Sequence, residues 1–491
     1  MSDVNKDLHT PGEGKLIEGE GYHSQFERTL GKFESFAVAF SFISITTGLF
    51  STYGSMLASS GPVGIWTWPI VTLGTLLVAL VFGLLASKIP LSGFSYQWAS
   101  RLVNPVLGWW FGWASFAFLG IVTVAVDYGL AQVALFPLLG LNYTAAGGAV
   151  TTIALLIIQM VLVIWSTPIL TKINNLAVGA EVIAIFGLIV AIGVAVLFLG
   201  KGNASNLVST GLIHSPHYFG WLGPFMLSGL LGAFTLVGWE SAANLAEETH
   251  NPKQVVPRAM VKAVLASGIL GTLFLIVISL GLGDHVNELS KSSAPVADVI
   301  RLILGDTFSK VVLVVVCIAI FACGLVILTS NSRLIHAMAR DGRLPFSQKL
   351  SYVPRPTGGP LWATLLAGAV STLIVLSFYT NPDALTQLLG AATLFPAILY
   401  SGTVLLYIFT RHKHTHHPDD FSLGVWEWPV IIGACVWLVV EMCVFIIPAD
   451  FRTAQWYVLI LMLLGILVFI PVWLWRRKQL QKMPPLGSYP S

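Results

Sequence analysis

The sequence predicts an all-α integral membrane protein of about twelve transmembrane helices, and three observations predict it. Only 10% of the 491 residues are charged and 55% are hydrophobic, whereas soluble domains carry about 25% charged residues. Mean hydropathy is +0.80, too apolar for a water-soluble domain to cover its own surface. Charge-free runs extend from Ser35 to Ser87 and, but for Asp127, from Leu102 to Thr171. Each is long enough for two helical spans of about 20 residues, and neither has the short alternating segments of an outer-membrane barrel.

Residues 1–32 are polar, rich in glycine and charge, and lack the apolar core of a signal peptide. They read as a cytoplasmic tail. Spans are expected at 35–59, 64–87, 106–139, 147–167, 173–199, 222–246, 260–282, 308–338, 361–379, 384–409, 428–447 and 454–475. Residues 410–427 then form a loop, 428–475 hold the last two spans, and 476–491 form a second tail. With this assignment 21 of the 26 Lys and Arg fall in the two tails, in the even-numbered loops or at the span ends that adjoin those loops. Cytoplasmic loops carry the excess of basic residues, so both termini are expected inside. The even number of spans follows from the same asymmetry, independently of hydropathy.

The net charge of +3 is therefore a topology signal and not a nucleic-acid footprint. Cys317, Cys323, Cys435 and Cys443 all fall in apolar segments, without disulfide or zinc spacing, and read as small buried hydrophobes. The run Arg411-His412-Lys413-His414-Thr415-His416-His417 reads as a solvated basic loop, since chelation needs a fixed geometry. No metal site is expected.

Two spans are interrupted. Span one carries Ser44-Ile45-Thr46-Thr47-Gly48 near mid-membrane, and in span six Gly229, Gly232 and Gly238 lead into Trp239-Glu240-Ser241. A broken helix at depth is tolerated only where its freed backbone groups line a cavity or are buried in protein. The two lie five spans apart, and an odd offset inverts a repeat in the membrane. Two inverted repeats of five spans are expected, about 33–200 and 220–409, forming a ten-helix core over 33–409 with a site at the breaks.

Four acids lie at depth: Asp127 in span three, Glu181 in span five, Glu240 in span six and Glu441 in span eleven. No Lys or Arg lies comparably deep. A buried carboxylate needs a proton, a cation or a hydrated cavity, so this excess points to a path for cationic groups or protons. Glu441, outside the repeats, reads as a neutral hydrogen-bonded acid. None of the eleven His is at depth and no Walker A sequence is present, which leaves no haem ligand, no intramembrane histidine catalysis and no ATP motor. A secondary carrier, needing no cofactor and catalysing no reaction, is what remains.

At the end of span six, Glu247-Glu248-Thr249-His250-Asn251-Pro252 leads through Val256-Pro257-Arg258-Ala259 into span seven. Span eight closes with Asn331-Ser332-Arg333 and Ala339-Arg340-Asp341-Gly342-Arg343-Leu344-Pro345. These alternating charges suit either ion pairs across an inner gate or surface caps.

Those strings, with Gly238-Trp239-Glu240-Ser241, resemble the signature of the amino acid–polyamine–organocation permease superfamily. Gly61-Pro62 with Trp66 and Trp68, Tyr96-Gln97-Trp98 and Asp127-Tyr128-Gly129-Leu130-Ala131 resemble its amino acid/choline branch, which includes GABA, choline and polyamine permeases. The resemblance covers about residues 30 to 475. It implies substrate bound between spans one, three, six, eight and ten. Ser44, Ile45, Thr46, Thr47 and Gly48 would then supply backbone and hydroxyl groups around a carboxylate or hydroxyl, and Asp127 would join them from span three. Phe234, Thr235, Gly238, Trp239 and Glu240 would face them from span six, with Trp239 an aromatic wall for an ammonium group. Several proton-coupled relatives have a lysine in span five in place of a sodium ion. Here Glu181 aligns with it, and an acid there could bind sodium, carry a proton or pair with a cationic substrate.

The expectation is a secondary active transporter importing a small amino acid or amine, coupled to a proton or another ion through Glu181 or Glu240. An exchanger of the same solutes and a transporter-like nutrient sensor are the alternatives. The expected location is an inner or plasma membrane.

Overall fold

A computed structural model describes residues 28–165, 167–354, 358–381, 383–413 and 420–481. Most of the two tails and His414 to His417 lie outside the described residues. Apart from one isolated β-bridge, every regular element described is a helix. Ten helices are long and apolar enough to cross a membrane, and two shorter apolar ones, Pro224–Thr235 and Leu361–Ser377, lie where spans six and nine are expected.

The helix ends follow local chemistry. Span two, Thr67–Lys88, enters through a turn that opens on Pro62, and span three, Pro105–Gly129, starts on Asn104, whose side chain accepts from the Leu107 N–H. Span three continues to Leu139 through a wider π-helical segment, Leu130–Leu135. Spans four and five are Ala145–Trp165 and Thr167–Phe198; seven and eight are Pro252–Gly281 and Asp306–Arg340; ten is Ala384–Thr410. Span eleven is Glu427–Ile446, and span twelve runs Arg452–Gln481, past the expected end at 475.

The most extensive packing pairs span two with span seven and span three with span eight, and the second half of span one lies against span six. Members of these pairs are five places apart, and spans three and ten and spans one and seven also pack extensively. A buried helix, Phe94–Leu102, fills the connection between spans two and three. Helix Pro295–Leu304 packs on span eight and on the second half of span one. Lipid-facing surfaces are rich in exposed Leu, Ile, Val and Phe, as on spans five and twelve, because lipid tails do not penalise exposed apolar side chains.

Residues just before span one are tied to the end of span six. Thr29 and Leu30 N–H groups donate to the Glu248 carbonyl at 2.9 and 2.8 Å, and His250 N–H donates to the Leu30 carbonyl at 2.8 Å.

Candidate substrate and coupling site

Span one is two helices, Lys32–Ile43 and Ile45–Ser60. Ser44 between them has φ 35° and ψ 95°, a region that L residues occupy only when their surroundings hold them there. The hold is visible. The Ser44 N–H closes the first helix on Phe40 at 2.9 Å, and its Oγ accepts from Thr47 N–H at 3.3 Å and from Thr47 Oγ1 at 2.7 Å. The Ser44 hydroxyl then donates to Glu181 Oε1 at 2.9 Å. Thr46 donates to the same oxygen twice, from Oγ1 at 2.7 Å and from its N–H at 3.1 Å.

Glu181 thus caps the second half of span one. A carboxylate at a helix N-terminus meets orphan N–H donors and the positive end of the helix dipole. The Phe42 carbonyl, freed at the end of the first half, accepts from Cys323 Sγ of span eight at 3.2 Å. Cys323 is also in side-chain contact with Thr47. Its sequence reading as a buried hydrophobe leaves out this polar contact.

Span six is broken more widely. Helix Leu230–Thr235 ends, Gly238 takes φ +84°, and the chain resumes as Ser241–Asn244. The two breaks are pressed together: a Cβ on Gly48 would lie 2.0 Å from Thr235 Oγ1, and one on Gly238 would lie 1.7 Å from the Phe42 ring. Ser241 Oγ donates to the Val38 carbonyl at 3.3 Å.

Trp239 and Glu240 point the other way. Trp239 packs against Phe82 of span two and Tyr400 of span ten, with ring centroids 4.9 and 5.3 Å apart. Glu240 Oε2 accepts from the Tyr400 hydroxyl at 2.7 Å, and that hydroxyl accepts from Gly238 N–H at 3.2 Å. Asp127 accepts from Gln159 Nε2 of span four at 2.9 Å, and Gly324 of span eight closes on that pair. Glu441 opens on a lateral crevice of about 130 Å³ between spans two, six and eleven and is electrostatically coupled to Tyr400.

The structure therefore gathers Ser44, Ile45, Thr46, Thr47 and Gly48 with Phe234, Thr235, Gly238 and, from span five, Glu181. Trp239 and Glu240 sit behind the break, and Asp127 faces spans four and eight. All of these residues are buried, so the site is closed to both sides. Sequence reasoning missed Tyr400, Gln159 and the polar role of Cys323. Gln159 had a signal: it is a lone amide in an otherwise apolar span four.

Below the breaks, Arg333 Nε donates to Glu248 Oε1 at 2.8 Å with both side chains sealed from solvent. Arg340 forks onto Glu247 at 3.0 and 3.2 Å, and Ser92 N–H donates to Glu247 at 3.0 Å. Tyr96 Oη donates to Asp341 at 2.6 Å. Two ion pairs thus join the ends of spans six and eight, while Asp341 and Arg343 are held from helix Phe94–Leu102.

Residues 30–469 match the family described as amino acid permease. The chain belongs to that family. Its similarity to individual relatives runs over most of both chains. It is 27% identical to the amino-acid permease BAT1 of Arabidopsis thaliana over 463 residues, 88% of this chain and 87% of the relative. It is 26% identical to the rice BAT1 homolog, covering 90% and 89%, and 23% identical to the GABA-specific permease of Saccharomyces cerevisiae, covering 89% and 77%. The permease is a multi-pass membrane transporter of amino acids or amines, and not an enzyme.

Proposed function

We propose that the permease imports a small amino acid or amine by symport with protons, with Glu181 as the coupling group. One observation carries this reading: the Glu181 carboxylate holds the donors at the span one break, Ser44 Oγ, Thr46 Oγ1 and Thr46 N–H, that a substrate carboxylate would need. An ionised Glu181 competes with an anionic substrate group for those donors. A protonated Glu181 is a poorer acceptor and releases them. Proton and substrate then favour each other's binding, which is the thermodynamic condition for symport.

The amino group of the substrate would lie toward span six, where Phe234 and Thr235 border the break. Trp239 and Glu240, joined through Tyr400, would set the shape of the broken segment from behind, and Glu240 is the second coupling candidate. The Glu248–Arg333 and Glu247–Arg340 pairs would form the gate at the end that the basic residues assign to the cytoplasm. Alternating access would follow from rocking of one group of spans against the other around the fixed site. Both termini would face the cytoplasm of a cell whose plasma or inner membrane holds the protein. The yeast relative, a GABA-specific permease, makes GABA the first compound to try.

The test is uptake into proteoliposomes holding the purified full chain, with GABA, neutral amino acids, choline and polyamines offered with and without a pH or sodium gradient. Accumulation driven by an inward proton gradient is expected. Accumulation driven only by sodium, or counterflow without net accumulation, would replace proton symport by sodium coupling or exchange.

A further inference from the structure

Away from the breaks, Asp127 and Gln159 form a closed polar pair between spans three and four. Both side chains are fully buried. Gln159 Nε2 donates to Asp127 Oδ1 at 2.9 Å, while Asp127 Oδ2 and Gln159 Oε1 have no hydrogen-bond partner. One carboxyl and one carboxamide, already joined by one hydrogen bond, thus each keep one oxygen without a partner. Buried acceptors are costly to leave unpaired.

One proton satisfies both. A carboxylic acid and a primary amide form a ring of two hydrogen bonds, the amide N–H to the acid carbonyl and the acid O–H to the amide carbonyl. The first bond is present. The second needs only a proton on Asp127 Oδ2, and neither oxygen is then left without a partner. We propose that Asp127 and Gln159 bind a proton as such an acid–amide ring, a proton site separate from Glu181.

The surroundings agree. Gly324 of span eight packs on the pair so closely that a Cβ there would lie 2.5 Å from Gln159 Nε2 and 2.7 Å from Asp127 Oδ1. A side chain at 324 would therefore spread the ring. Cys323 is a titratable neighbour that feels the charge of both acids, Glu181 more strongly than Asp127. Spans four, nine and ten contain no Asp, Glu, Lys or Arg; those of spans one and twelve stand at the ends of their helices, and Arg333, the innermost base of span eight, is engaged by Glu248. Among the described residues no fixed cation is therefore placed to neutralise an ionised Asp127, and a proton is the counter-charge that fits without added space. Loss of that proton would turn Oδ2 and Oε1 into facing like dipoles and push span four away from span three. The site lies one residue from Cys323, which touches both the Phe42 carbonyl and Thr47 at the span one break. Its protonation is thereby linked to the conformation of the substrate site.

This proposal deepens proton coupling but is read without transport. Infrared spectra of the purified full chain at neutral pH, wild type minus D127N, should show a protonated-carboxyl C=O band that shifts in heavy water. Asn at 127 can rebuild the ring through its own amide, so D127N should fold and melt near the wild-type temperature. The exchanged pair D127N/Q159E should restore the band, with the acid now on span four. A difference spectrum that loses carboxylate bands and no protonated-acid band would overturn the proposal. Should D127N fail to fold, Q159L decides: the acid band is expected to move to the position of a carboxyl without a partner, and an unmoved band would equally overturn it. A failure here leaves the transport assignment standing, because the spectra make no use of substrate.

Discussion

Glu181 of span five and Thr46 of span one meet at 2.7 Å, hydroxyl to carboxylate, at the point where span one ceases to be one helix. The bond joins an acid deep in the membrane to the N-terminus of a half-helix. It would make the proposed substrate site conditional on the state of a group that is not itself substrate.

Glu181→Gln should flatten the pH dependence of KM for a carboxylate-bearing substrate. In the wild type, substrate affinity is expected to rise as pH falls, because protonation frees Ser44 and Thr46. The Gln side chain is a neutral stand-in at every pH, so its KM should stay constant while turnover is measured across the same range. Uptake kinetics at several external pH values read this directly; an unaltered KM profile removes Glu181 from the coupling role.

Glu248→Gln leaves the Arg333 guanidinium buried without its ion-pair partner, at a cost of about 3–5 kcal/mol to the closed arrangement. The population should shift toward conformers open at that end. A cysteine at Ser35, buried in the closed form, should react faster with an alkylating reagent in the E248Q background. The charge exchange E248R/R333E should slow the reaction again, and equal rates in all three proteins would deny the pair a gating role.

Tyr400→Phe removes a donor to Glu240 and an acceptor for Gly238 N–H with one atom. Losing a hydrogen bond to a charged or buried group costs about 1.5–3 kcal/mol, enough for a drop of tenfold or more in kcat/KM. Glu240→Gln keeps an acceptor for the Tyr400 hydroxyl and should do less harm than Y400F to the shape of the break. Glu441→Gln, on its lateral crevice, should do least. Uptake of the three variants at matched expression gives the order.

Gly48→Ala drives a methyl group into Thr235, whose Cβ would be only 2.4 Å away. Overpacking of this kind costs about 1–3 kcal/mol or more, and here it wedges the two breaks apart. Uptake should be lost and the melting temperature lowered. Trimming the opposing side chain in G48A/T235G should recover part of both.

The spans were legible in the sequence because lipid imposes a simple demand, a continuous apolar helix of sufficient length, and most boundaries lie within a few residues of those expected. The helix Phe94–Leu102 was not: its Tyr96, Gln97 and Trp98 read as a motif, but a buried helix off the membrane axis leaves no hydropathy signal. Both breaks were legible from Ser44 to Gly48 and from Gly238, since helix-poor residues at depth are rare. The directions of the side chains beyond them were not. After Gly238 takes φ +84°, the regular helical periodicity no longer says which way Trp239 and Glu240 face, and only tertiary packing turns them to Tyr400. Tyr400 itself is silent in sequence, because a neutral tyrosine in a span costs too little to stand out. Glu181 was found as an ionisable group at depth, while its three donors needed the folded chain.

The backbone pairing of Leu30 with Thr249 and its neighbours gives the two discontinuous spans a common hinge-pin. The lower half of span one cannot swing outward alone without shedding three main-chain hydrogen bonds to the segment that ends span six. The two half-helices would therefore move as a single lever, and release of a substrate held at the breaks would be a one-step motion and not the sum of two independent openings. Force applied to the chain ahead of Thr29, from whatever source, is delivered to both arms of that lever at once.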